Sequence, residues 1–145
     1  MPTQPRSLLM ELNLQFFDLM LSGQKTVELR RSHPQKDGTR FGKNLYFCKH
    51  GYVYGQATIQ GTDFHGINSN AGPATYAVYY YEQAGLTAQE ALDYLQGAES
   101  PAAYYIEKPI RYRHPVPCQE SIPRSWCYIT PDLERRCIAA AADPA

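Results

Sequence analysis

Two short runs, Asn44 to His50 and Tyr52 to Gln60, alternate in character about a single Gly51. That pattern constrains the chain more than any other. Alternation over five or more residues on either side of a glycine specifies a β-hairpin. A hairpin in turn commits its surroundings to an antiparallel sheet. In the second run Val53, Ala57 and Ile59 fall on one face and Tyr54, Gln56 and Thr58 on the other.

The rest of the chain is read outward from this hairpin. Ser7 to Leu12 is apolar and suits a strand. Asn13 is placed to cap a helix over Leu14 to Leu21, where Phe16, Phe17, Met20 and Leu21 recur at helical spacing and Gly23 ends it. Thr26 to Arg30 alternates again, with Val27 and Leu29 on one face and Glu28 and Arg30 on the polar one. Ser32 to Gly42 and Gly61 to Pro73 are rich in Gly, Asn and Pro and read as loops. Thr75 to Gln83 suits a tyrosine-rich helix ending at Gly85. Thr87-Ala-Gln-Glu90 is a capping box that opens a further helix through Ala91, Leu92 and Leu95 to Gly97. Tyr104 to Arg113 and Ser125 to Ile129 supply the last strands, and the tail after Pro131 is expected to be a frayed helix or disordered. This order predicts an α+β fold: a small, mainly antiparallel barrel with two to three flanking helices. It occupies residues 1–130 as one domain, with 131–145 as a tail.

With 145 residues, 43% of them hydrophobic, the chain can bury one core. It has no apolar run of membrane-spanning length, and Met1 to Arg6 lacks the character of a signal peptide. Cytoplasmic residence with reduced Cys48, Cys118, Cys127 and Cys137 is therefore expected. His114 and the cysteines are too irregularly spaced for zinc, and no phosphate loop, hydrolytic triad or cofactor motif is present. The formal charge is zero, but it is segregated. Lys25 to Lys49 holds seven basic residues against two acidic ones, whereas His50 to Glu107 holds six acids and no Lys or Arg. Basic residues return at Lys108, Arg111, Arg113 and Arg124. If the basic stretches meet, they form one positive face; otherwise they are solvated charges.

The segment Leu21 to Arg30 carries Gly23-x-Lys25-x-x-Glu28-x-Arg30 after an apolar helix and before the strand Gly42-Lys-Asn-Leu-Tyr-Phe47. With the hairpin strand Tyr54-Gly-Gln-Ala-Thr-Ile59, the helix after Thr87 and Tyr104-Tyr-Ile-Glu-Lys-Pro109, this resembles the ASCH family over about Leu8 to Ile129. The resemblance implies a PUA-like barrel whose cleft is lined by the Lys and Glu of the motif. It also implies work on RNA, on RNA-derived nucleosides or with translation-linked partners. Some relatives remove an acyl group from a modified cytidine, and others are reported as nucleases. In the former a Thr stands where this chain has Glu28, and the helper Glu falls at Ala84 with Glu82 nearby, so that mechanism is disfavoured.

Parity would bury Lys25 beside Val27 and Leu29, so the lysine is expected in the turn after Gly23, its ammonium swinging into a cleft towards Glu28. The pair could bind a base edge or phosphate, or exchange a proton as catalytic residues. It could equally be structural, with Glu28 on Arg30 or Arg31. Lys25, Arg30, Arg31, Lys43, Lys49, Lys108 and Arg111 are the candidate phosphate contacts, with Tyr46, Tyr54 and Tyr105 as stacking rings. His65 after Asp63 is a loop residue with acid–base potential. RNA or nucleotide binding is thus the expected function. A small hydrolase (ribonuclease or acylated-nucleoside amidohydrolase) using the same cleft is the alternative, and a protein-interaction module with a basic face a third.

Overall fold

The computed structural model of the protein describes residues 6–34, 41–64, 72–118 and 126–145, with residues 41 and 42 given by backbone alone. In chain order the elements are β1 (Arg6–Glu11), α1 (Leu14–Leu21), β2 (Val27–Arg30), β3 (Phe41–Lys49), β4 (Tyr52–Phe64), α2 (Pro73–Tyr80), α3 (Ala88–Leu95), β5 (Ala102–Pro117), β6 (Cys127–Tyr128) and α4 (Pro131–Ala141). The six strands form one mixed sheet in the order β2-β5-β4-β3-β1-β6. The β2–β5, β3–β4 and β1–β6 pairs are antiparallel and β1–β3 is parallel.

The hairpin turns at His50 and Gly51, whose φ values of 53° and 83° are both positive, as a two-residue turn matched to strand twist requires. Contacts divide the chain into two compact units, and β4 and β5 run through both. One unit holds residues 1–14, 35–58 and 107–145. Its core joins Leu9, Tyr46, Val53, Tyr112, Leu133 and Cys137. The last two belong to α4, which Thr130 caps by accepting from Leu133 N. The segment expected to be frayed or disordered is thus a capped helix with one face in a core.

The other unit holds residues 15–34 and 59–106. Here Val27, Leu29 and Ala103 pack under Tyr76, Tyr80 and Ala84 of the α2 region and Ala91 and Leu95 of α3. The capping box forms: Thr87 Oγ1 accepts from Glu90 N at 3.1 Å and the Glu90 carboxylate accepts from Thr87 N at 2.9 Å. The expected loop from Gly61 is corrected, since β4 continues through Phe64. Its remainder, with His65, lies outside the described residues. So do Lys36, Arg40 and Arg124, and Ser125 of the last expected strand.

Candidate functional site

β2 carries the chemistry of the second unit. Its four residues are all buried, so Glu28 and Arg30 do not occupy the solvent-facing side that alternation predicts. The cause is a second covered face. Val27 pairs with Tyr105 and Glu28 with Tyr104, and directly opposed residues in an antiparallel pair project the same way. Val27, Leu29 and Ala103 therefore meet the helices, while Glu28 and Arg30 share the side of Tyr104.

Lys25 precedes the strand and is only 4% exposed. Its Nζ lies 3.0 Å from Glu28 Oε1 and donates to Val27 O at 2.9 Å and Ala84 O at 2.7 Å. Three acceptors thus match the three protons of an ammonium. Arg30 Nε lies 2.7 Å from Glu28 Oε2, completing a row of two cations about one carboxylate. Burial raises the Glu28 pKa, but the Lys25 and Arg30 charges outweigh it and hold the carboxyl below its ordinary value. Burial likewise opposes the Arg30 charge, and Glu28 together with Tyr94 and Tyr104 more than restores it. The Lys25–Glu28 pair is closed in by protein rather than standing open at a pocket mouth.

Rings adjoin this row. The Tyr104 ring meets Phe64 edge-on at 5.2 Å, and Phe64 stacks on His33 at 4.6 Å with an interplanar angle of 3°. Tyr104 and His33 are buried, whereas Phe64 is half-buried. Neither His33 nor Phe64 stood out in the sequence, because each lies at an apparent loop edge. The strand extension of β4 is the signal that would have found Phe64.

The remaining candidates divide. Arg31 donates from Nη1 to Tyr94 O and Gln96 O, closing the C-terminal end of α3. Tyr46 is fully buried with its hydroxyl donating to Glu134 at 2.8 Å, and Tyr54 is 5% exposed, donating to Leu12 O at 2.8 Å. As placed, neither ring offers a face to a base, which corrects their expected role. Tyr105 is half-buried, its hydroxyl 2.6 Å from that of Tyr80. Lys49 is partly covered and pairs with Glu11 at 3.0 Å. Lys43, Lys108 and Arg111 are exposed, Lys108 at a positive φ of 52° within β5. Among the described residues no three His, Cys, Asp or Glu side chains are grouped to hold a metal, and no helix is long and apolar enough to cross a membrane.

Sheet order, helices and motif placement together define an α+β, PUA-like fold with a barrel-type sheet. It is of the ASCH type. The crystal structure of ASCH from Zymomonas mobilis superposes with a TM-score of 0.70 at 20% identity, covering 95% of this chain and 97% of that one. A serine-to-alanine variant of the same protein gives 0.70 at 19% identity, over 92% and 95% of the two chains. A tyrosine-to-phenylalanine variant gives 0.69 at 20%, over 92% and 97%. No protein-family model matches the chain, and no curated protein matches it in sequence.

Proposed function

We propose that the protein binds RNA, or a nucleotide fragment of it, on the side of β2 and β5 that carries Glu28, Arg30 and Tyr104. The observation that carries this reading is the meeting of the Lys25–Glu28–Arg30 row with the Tyr104, Phe64 and His33 rings. A base edge needs a donor beside an acceptor, and its π-face needs a ring. Half-buried Phe64 is the ring on which a base would extend the His33–Phe64 stack, while Glu28 and Arg30, both buried, hold the strand beneath it. Two cations about one anion also favour a polyanion over a neutral ligand. The ASCH-type fold is in keeping with an RNA-binding domain.

Hydrolysis with Lys25 as the base finds no support in the geometry. All three of its donor positions are occupied, and Glu28 already accepts from both cations. Incubation with RNA and with acylated nucleosides should give no product by mass spectrometry.

The test of binding is fluorescence anisotropy with single-stranded RNA, double-stranded RNA and DNA at two salt concentrations. Single-stranded RNA should bind with saturation, more weakly at high salt. Phe64→Ala should lower the affinity in a protein that remains folded, with a melting temperature reduced by the lost contacts to His33 and Tyr104. No saturable binding of any RNA or nucleotide, or wild-type affinity in a folded Phe64→Ala protein, would sink the reading.

A further inference from the structure

The unit of residues 1–14, 35–58 and 107–145 carries an aromatic and cationic cluster that the site on β2 does not use. Its placement follows from strand register. Leu8 of β1 pairs with Tyr128 of β6, and Leu9 with Cys127, in antiparallel sense. Directly opposed residues share a face, so Tyr128 stands with Leu8 and with Arg6, two residues before it. Leu9 and Cys127 take the opposite face, where they join the core completed by Leu133 and Cys137 of α4. Arg6 is therefore diagonal to Tyr128 on the face away from α4, a spacing that a long side chain can bridge.

Three side chains touch in a row. The Arg6 guanidinium lies over the Tyr128 ring, its Cζ 4.3 Å from the centroid. The Trp126 ring meets the Tyr128 ring edge-on at 5.4 Å, with an interplanar angle of 74°. Arg6 is exposed and both rings are half-buried, so each keeps surface that a ligand can cover. β6 ends the order of strands, which puts the row at a sheet edge.

Arg6 has no ion-pair partner among the described residues, and the Tyr128 ring is its one partner. That contact restrains a side chain rich in rotamers and leaves its fork of N–H donors without an acceptor. The complement of such a fork is an anion with several oxygens, a carboxylate or a phosphate. The rings decide between them. A carboxylate side chain would fill the fork and leave the indole uncovered, whereas a nucleotide brings oxygens and a π-face together.

We propose that Arg6, Tyr128 and Trp126 form a second nucleotide site, with a phosphate of single-stranded RNA on the Arg6 fork and the adjoining base stacked on Trp126. The ligand class rests on the RNA reading of Phe64 and its neighbours, but the two sites share no residue.

Trp126 is the only tryptophan of the chain, so tryptophan fluorescence reports on this site. The folded full chain is titrated with a single-stranded RNA trinucleotide at two salt concentrations, and separately with a capped peptide of alternating Glu and Leu. RNA should quench the tryptophan saturably, and the peptide should not. Arg6→Gln keeps an exposed polar stem and removes the charge. It should weaken the RNA about tenfold, the worth of one hydrogen bond to a charged group, and lower the salt slope by about one. Arg6→Lys keeps the charge without the planar fork, so it should weaken binding but hold the wild-type slope. Phe64→Ala should leave the quench at wild-type affinity. A quench that persists there supports this site even if the Phe64 reading fails. Absence of a saturable quench, or wild-type affinity and slope in Arg6→Gln, overturns the proposal. So does a quench lost in a folded Phe64→Ala protein, which would trace it to the other site. Equal quenching by the Glu peptide also overturns it and assigns the row to an acidic protein segment.

Discussion

Glu28→Gln is the sharpest perturbation of this fold. The carboxylate accepts from Lys25 Nζ at 3.0 Å and stands 2.7 Å from Arg30 Nε, and all three residues are under one-tenth exposed. An amide keeps the shape but replaces one acceptor with a donor. One cation then faces an N–H, and two buried positive charges lose their counter-charge. Breaking a buried pair on one side costs about 3–5 kcal/mol. Unfolding entropy near 2.1 cal/mol/K per residue, over 145 residues, converts this to a melting temperature lower by about 10–16 °C. The folded pKa of Glu28 lies below its ordinary 4.5. The stabilisation is therefore fully present above that value and is lost as pH falls through the folded pKa. Urea titrations of both proteins at neutral pH and at several values below 4.5 should show a wide gap that narrows with acid. A neutral-pH loss under about 1 kcal/mol, the range of an exposed pair, would refute the reasoning. So would a gap indifferent to acid.

Gly85 adopts a φ of +74°, and a Cβ there would lie 2.9 Å from Leu19 Cδ1, the movable end of a side chain. Gly85→Ala should therefore lose mainly the left-handed penalty, about 1–2 kcal/mol by chemical denaturation. Thr87→Ala removes one half of the capping box and should cost about 0.5–2 kcal/mol; an unchanged midpoint would contradict the cap. Burial pushes the Cys137 thiol up to about 11. At mildly alkaline pH a disulfide reagent should label half-buried Cys127 in the native protein, and Cys137 only in denaturant, as peptide mass spectrometry will resolve.

Features set by near neighbours were legible in the sequence. The Gly51 hairpin, the α1 span from Leu14 to Leu21 and the Thr87–Glu90 box each depend on residues within a few positions. The misplacements share one cause, which is a partner far along the chain. Alternation marks Glu28 and Arg30 as a polar face, yet Lys25, which neutralises Glu28, is itself fixed by a carbonyl 59 residues on. Tyr46 resembles an exposed strand tyrosine until Glu134, 88 positions away, takes its hydroxyl proton. Asp63 resembles a loop residue, and only Tyr76 and Tyr80, 13 and 17 positions on, show why a carboxylate ends β4.

The motif can then be divided between holding the fold and meeting a ligand. Lys25 links the start of β2, through Val27 O and Glu28, to the turn at Ala84, and its three donor positions are filled by those bonds. A lysine so placed positions the strand that carries Arg30 and has no donor left for a phosphate. Lys25→Met keeps the stem and removes the charge. It should lower the melting temperature and weaken RNA binding, but leave the slope of log affinity against log salt at the wild-type value. Loss of a true phosphate contact would reduce that slope by about one. If Lys25→Met lowers the slope while stability holds, the lysine meets the nucleic acid directly, and the closed row between Lys25 and Glu28 must open when RNA binds.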